Sequence, residues 1–173
     1  MSDERWRDVA KQIDECRYLY MRGLHEPRDS RIRFLVEEAG LQLPRPAPGD
    51  VAPGSIAGLF EDARPIESDA SSRLFEIVYD EYISYTVSNE SYSKYPEPPE
   101  VFTGNLFRIY SWSYLLEMTR KTTYADDEHP GPGPLEHHQI PCLNHVIDVI
   151  TTRPPLLAVV DRMTLEDGGD VVN

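Results

Sequence analysis

Hydrophobic and polar residues alternate most regularly over 74–89, LFEIVYDEYISYTVSN. The odd positions carry Phe75, Ile77, Tyr79, Glu81, Ile83, Tyr85 and Val87, so six of these seven are apolar or aromatic. Between them stand Glu76, Asp80, Ser84, Thr86 and Ser88, relieved by Val78 and Tyr82. A period of two is that of a pleated strand with one face buried. A helical stripe through Phe75, Val78, Tyr79 and Tyr82 leaves Ile77, Ile83, Tyr85 and Val87 off it, and β-branched and aromatic residues favour extended chain. At about 3.3 Å per residue the run would span roughly 50 Å, longer than a sandwich is tall. Glu81 interrupts the apolar series near its middle, so the pattern predicts a bend there and a strand that serves two sheets.

The same reasoning places the other elements. Trp6, Val9, Ala10 and Ile13 recur at helical spacing, with Ser2 or Asp3 as a cap, and predict a short amphipathic helix ending near Glu15. Segments 16–23 and 31–38 read as an antiparallel pair, with His25 to Asp29 as the turn and Ile32, Phe34 and Val36 on one side. The stretch 41–54, LQLPRPAPGDVAPG, suits neither helix nor ladder and is expected to be an exposed connection, followed by a shorter strand near 56–60. Three prolines in ESYSKYPEPPE impose an extended loop. Strand character returns in VFTGNLFRIY. Ser111 then reads as the cap of a helix near 111–122, with Trp112, Leu115, Leu116 and Thr119 as its buried stripe and Arg120 and Lys121 at its cation-favouring end. IPCLNHVIDVITT reads as one last long strand, LLAVV as a short continuation, and 161–173 as a frayed tail.

The expected fold is therefore mainly β, with α+β as the alternative. It is an antiparallel sandwich or jelly-roll-like barrel of five to six strands, with an N-terminal helix and a second helix across one opening. At 173 residues the chain is read as one domain, 1–173.

Charge narrows the function classes. The net charge is −13, and it is uneven: up to Asp50 ten acids face nine bases, whereas twenty acids face eight bases thereafter. Such a surface repels phosphate backbones, which argues against a nucleic-acid binder and favours a basic partner. No apolar run reaches the roughly 18 residues of a membrane helix, so no membrane association is expected. The charged opening MSDERWRDVAKQ is unlike a secretory leader, and the expected location is cytoplasmic, with Cys16 and Cys142 as thiols.

Two groups of residues are candidates for function. His129, His137, His138 and His145 lie close in sequence among several acids. Of these, His137, His145 and Asp148 form a candidate divalent-metal site or ligand pocket, His137 and His145 sharing a face by parity. His137 and His138 must point to opposite faces, and so must Cys142 and His145, which opposes a Cys–His pair. The second group is the tyrosine-rich region, from which Glu81, Tyr82, Glu90 and Tyr92 are expected to contact a protein partner, with Tyr82 on the exposed face. Tyr79 and Tyr85 are expected in the core, and Asn89 and Ser91 are expected to close a turn. The leading expectation is a non-enzymatic binding or regulatory protein, without cofactor, presenting an acidic, tyrosine-bearing surface to a protein. The alternative is a metal-dependent enzyme or small-ligand binder.

Overall fold

The structure, a computed structural model, describes residues 5–41, 65–125 and 134–162. The strand expected near 56–60, His129 and its neighbouring acids, and 163–173 of the expected tail lie outside the described residues. Among those described, two helices and ten strands follow the chain: α1 (Arg5–Asp14), β1 (Tyr18–Arg28), β2 (Arg31–Leu41), β3 (Ile66–Glu67), β4 (Leu74–Asp80), β5 (Ser84–Asn89), β6 (Val101–Thr103), β7 (Arg108–Trp112), α2 (Tyr114–Thr122), β8 (Glu136–Pro141), β9 (His145–Thr151) and β10 (Leu156–Val160). They form two antiparallel sheets, β1-β2-β4-β10 with β3 beside β2, and β5-β9-β8-β7-β6. Neither closes into a barrel. The molecule is a sandwich-like α+β fold, mainly β.

The alternating segment is the hinge between the two sheets. β4 belongs to the first sheet and β5 to the second, and the break falls at Glu81, whose φ is 61°. Its amide donates to Ser30 O (2.6 Å), and Ile83 N–H donates to Ile150 O (2.8 Å), so the corner is held from both sheets. Before the corner the odd-numbered set faces inward; beyond it the expected single buried face is not kept, since Ile83 packs with Leu116, Leu135 and Ile150 and Val87 is 40% exposed. Phe75, Ile77 and Tyr79 are buried against Ile32, Phe34 and Val36 of β2, and Tyr85 pairs with Val149 of β9 on the core face. Burying each of the larger side chains contributes about 1.5–3 kcal/mol.

The remaining open side of the sandwich is closed by α1, whose Trp6, Ala10 and Ile13 enter the same core. Its last residue, Asp14, uses one carboxylate oxygen to accept from Asn105, Leu106 and Phe107 N–H at 2.9, 2.8 and 2.7 Å. That clamp holds the β6–β7 turn, where Gly104 has φ 83°. The edge of β1 is covered by the β8–β9 turn: Leu143 N–H donates to Leu19 O, and the Asn144 amide bonds both N–H and C=O of Met21. An exposed strand edge is thereby blunted. On the outer face of the second sheet, Leu116 of α2 packs with Leu135 and Ile150.

Several expected elements are corrected. The 74–89, VFTGNLFRIY and IPCLNHVIDVITT runs are two strands each, which is the main reason for ten strands rather than five or six. LLAVV does not continue β9 but crosses to pair with β4. His25 to Arg28 extend β1 past irregularities at Gly23 and Pro27, and the turn is Asp29–Ser30. A proline is tolerated in an edge strand at such a bulge. The cap of α2 is Ser113, not Ser111, because β7 pairing continues to Trp112, opposite Val101. No helix among the described residues is long and apolar enough to cross a membrane.

Candidate functional site

The histidines of β8 were the sharpest chemical signal. They organise two separate hydrogen-bonded relays, one on each face of the second sheet. His138 points into the core, its ring surrounded by Trp6, Tyr79 and Phe107. Its Nδ1 meets the Tyr79 hydroxyl (3.1 Å) and its Nε2 meets Glu136 Oε2 (3.1 Å). Burial lowers the His138 pKa against the opposing pull of Glu136 and raises that of Tyr79. The self-consistent state is a neutral imidazole that donates from Nε2 to the carboxylate and accepts the phenol proton at Nδ1.

His137 points outward, yet it too is sealed. Nδ1 lies 2.8 Å from Ser113 Oγ and Nε2 lies 2.9 Å from Asp148 Oδ1, and the Tyr110 ring stacks on the imidazole at 4.3 Å. Ser113 Oγ also accepts the Leu116 N–H (3.0 Å) as the cap of α2, so its own proton goes to His137 and the imidazole donates to Asp148. From Asp148 the network runs on across the sheet: Gln139 donates to Asp148 Oδ1 (2.9 Å) and accepts from Arg108 Nη1 (2.8 Å) and the Tyr110 hydroxyl (2.9 Å). Thr86 donates to Asp148 Oδ2 (3.3 Å).

Serine, histidine and aspartate in contact are also the parts of a nucleophilic triad, and the geometry decides against that role. Ser113 is fully buried, with its oxygen occupied by the helix N–H and its proton by His137. A nucleophile needs a face open to substrate. Two surface concavities lie elsewhere. One of about 490 Å³ is lined by Arg28, Asp29, Ser30, Asp80, Glu81 and Arg153, and one of about 410 Å³ lies near Arg17 and Glu38. The relay ties α2 to β8 and β9.

The three expected metal ligands do not converge. His137 and Asp148 meet, but His145 is three residues from Asp148 on β9 and faces the other side of the sheet. The parity argument linking His137 to His145 fails because residues 142–144 form a turn between separate strands. Both His137 nitrogens are already engaged, and His145 Nδ1 is sealed without a partner. Among the described residues no group of three or more His, Cys, Asp or Glu side chains is placed to hold a metal ion. Both thiols are free and buried, and burial raises each pKa, that of Cys16 to about 12. Neither is a ready thiolate nucleophile.

The expected partner-binding residues divide into two places. Glu81 and Tyr82 sit at the sheet corner, and Glu90 and Tyr92 at the other end of β5, about 20 Å away at 3.3 Å per residue. Glu81 pairs with Arg153 (2.7 Å). Tyr82 is half-buried rather than on the exposed face, packed edge-on to Tyr85, and both hydroxyls donate to Glu26 at 2.7 and 3.0 Å. The hydrogen bond to Glu26 raises both tyrosine pKa values, that of Tyr82 to about 12. The corner is therefore internally satisfied. At the far end Asn89 Oδ1 accepts from Ser91 N–H and opens a single 3-10 turn, Glu90–Tyr92, that projects Tyr92 into solvent.

That end continues into an aromatic ridge that the sequence pattern did not announce. Tyr92, Tyr95, Val101 and Tyr114 are 87%, 70%, 55% and 62% exposed. Trp112, opposite Val101, meets Tyr114 edge-on at 5.1 Å, and Phe102 meets Tyr110 at 5.1 Å. Tyr95 and Phe102 flank the Arg108 guanidinium, with its central carbon 4.9 and 5.1 Å from their ring centres. Glu90, Glu97 and Glu100 lie on the same loop, and Glu100 accepts the Tyr114 N–H (3.3 Å). Rings separated by prolines and glutamates carry no periodicity, so only the density of tyrosine over 79–95 hinted at this surface.

Comparison of the chain with protein families, with characterised proteins and with solved structures gives no match.

Proposed function

We propose that the protein is a non-catalytic binding protein that engages a protein partner through the ridge of Tyr92, Tyr95, Val101, Trp112 and Tyr114, rimmed by Glu90, Glu97 and Glu100. The observation that carries this reading is the contrast between the two candidate regions. The hydroxyl–histidine–carboxylate groups are buried and mutually satisfied, while large aromatic side chains that a monomer normally hides are gathered in solvent. Tyrosine and tryptophan supply contact area at low entropic cost and dominate interface energetics. A glutamate rim on a chain of net charge −13 selects a partner with a basic periphery. A cytoplasmic setting fits two buried free thiols.

Affinity purification of the full chain from its native lysate tests the reading, with the triple variant Tyr92→Ser, Tyr95→Ser, Tyr114→Ser alongside. The three side chains are exposed, so the variant keeps its fold. The wild type is expected to retain a partner at low salt, to release it progressively as salt rises, and to lose it in the variant. A partner retained equally by the variant overturns the proposal.

A further inference from the structure

Arg108 is the only buried lysine or arginine among the described residues, 8% exposed. Among the described residues, every other guanidinium partly withdrawn from water meets a carboxylate. Arg31 has Asp80 (3.4 Å), Arg33 has Glu76 (2.6 Å), Arg73 has Glu38 (2.8 Å) and Arg120 has Glu117 (2.8 Å). Arg108 makes no ion pair among the described residues. Its hydrogen bonds go to neutral oxygens, Asn105 C=O (3.1 Å) and Gln139 Oε1 (2.8 Å), with the Tyr110 hydroxyl also in reach. The nearest acid in its network, Asp148, stands behind the Gln139 amide and already accepts from His137. A guanidinium carries five N–H donors, and a buried charge is expected to be paired. This one is held between the Tyr95 and Phe102 rings, beside the exposed aromatic surface.

We propose that Arg108 is the recognition point for a carboxylate, supplied by an aspartate or glutamate side chain of the protein that docks on the ridge. The inference rests on the binding role proposed above and adds the chemistry of the contact. A planar carboxylate matches the guanidinium fork and slides between flanking rings. A phosphate fits less well. The site offers one cation, Asp148 lies one amide away, and Glu100 acts on the adjacent Tyr110, so a dianion meets more repulsion than a monoanion. The partner surface is thus an acidic side chain on an otherwise basic face, the complement of one arginine on a chain of net charge −13. Central, desolvated arginine and tyrosine contacts are where interface energy concentrates.

The test is an NMR titration of the isotope-labelled full chain with a capped Ala-Glu-Ala peptide as probe, at constant ionic strength. A capped Ala-Gln-Ala peptide, sodium acetate and inorganic phosphate are the other arms. The glutamate peptide is expected to shift the Arg108 Nε–H resonance and the Tyr95 and Phe102 signals saturably. Its half-saturation should lie at least about tenfold below that of the glutamine peptide, a difference of about 1.4 kcal/mol. The response should vanish in Arg108→Gln, with Tyr92→Ser keeping it. Absence of a saturable glutamate response in the wild type overturns the inference whether or not the Arg108 variant folds. Acetate binding as tightly as the peptide, or phosphate binding more tightly, overturns the assignment to a partner side chain. If the ridge variant loses its partner while Arg108 stays silent, only this inference fails; if neither responds, the binding reading fails with it.

Discussion

Removing the Ser113 hydroxyl separates a structural relay from a catalytic one. In Ser113→Ala two losses coincide. The Leu116 N–H at the start of α2 loses its capping acceptor, worth about 1 kcal/mol. His137 Nδ1, deep under α2 and Tyr110, loses its donor, and an orphaned buried polar atom costs about 1–3 kcal/mol. The sum, roughly 2–4 kcal/mol, is a large fraction of the 5–15 kcal/mol that holds a typical domain together. For a chain of this size it corresponds to a fall in Tm of roughly 4–16 °C. Equilibrium urea unfolding followed by tryptophan fluorescence reads it directly. The expected result is a lower midpoint with an unchanged slope, since the surface exposed on unfolding is the same. A parallel measurement exposes the wild type to a fluorophosphonate probe, which labels activated serines. No label at Ser113 is expected, because the hydroxyl has no open face. A Ser113→Ala variant within about 0.5 kcal/mol of wild type, or stoichiometric labelling of Ser113, refutes the structural assignment.

Other perturbations reach other parts of the account. Gly104→Ala is expected to cost about 1–3 kcal/mol in the same unfolding assay, because φ is 83° and an added Cβ would collide with the Phe107 carbonyl oxygen. Asp14→Ala removes an acceptor from three amides at once and should lower stability by about 1.5–3 kcal/mol, with faster hydrogen exchange confined to the 105–107 amides. The His138 pKa is lowered in the fold, so the unfolded chain binds more protons once pH drops below the ordinary value of 6.5. Stability should therefore fall as pH decreases from about 6.5 toward the depressed value, ahead of the losses from Glu37, Glu38 and Glu136, whose pKa values lie below 4.5. A His138→Gln variant should lack the first of these phases in a pH series of unfolding midpoints. Metal analysis of untagged protein should find no stoichiometric zinc, iron or manganese; a metal lost in His137→Ala would restore the enzyme reading.

The extended path of the chain through 74–89 was legible from its period of two, although β4 buries Leu74 and Val78 as well as Phe75, Ile77 and Tyr79 and β5 buries no residue fully. Parity gave the inward direction of Phe75, Ile77 and Tyr79 and of the partly buried Tyr85 but not the exposure of Val87, and Glu81 marked the corner. Where tertiary partners decide, the pattern was silent. Nothing local says that 142–144 is a turn, because Asn144 is held there by Met21, 123 residues away. Ser111 and Ser113 are equally good caps by type, and only the pairing of Trp112 with Val101 selects the second. Opposite faces for His137 and His138 followed from strand geometry. Their partners Ser113, Asp148, Tyr79 and Glu136 come from several elements, and of these only Asp148 was named with His137. Arg108 looked like an ordinary outward residue between Phe107 and Ile109. Its burial comes from Tyr95 folding over it from a proline-rich loop, which no periodicity records.

The claim on which the functional account turns is that the aromatic ridge meets another protein. Site-specific incorporation of a photo-crosslinking amino acid at position 95 in the native cell tests it most directly, with position 158 on β10 as a distant control. The account predicts one discrete crosslinked species from position 95, identified as a protein with a basic surface, and none from position 158. Silence at position 95 in cells that make the folded protein, or the same adducts from both positions, would contradict it.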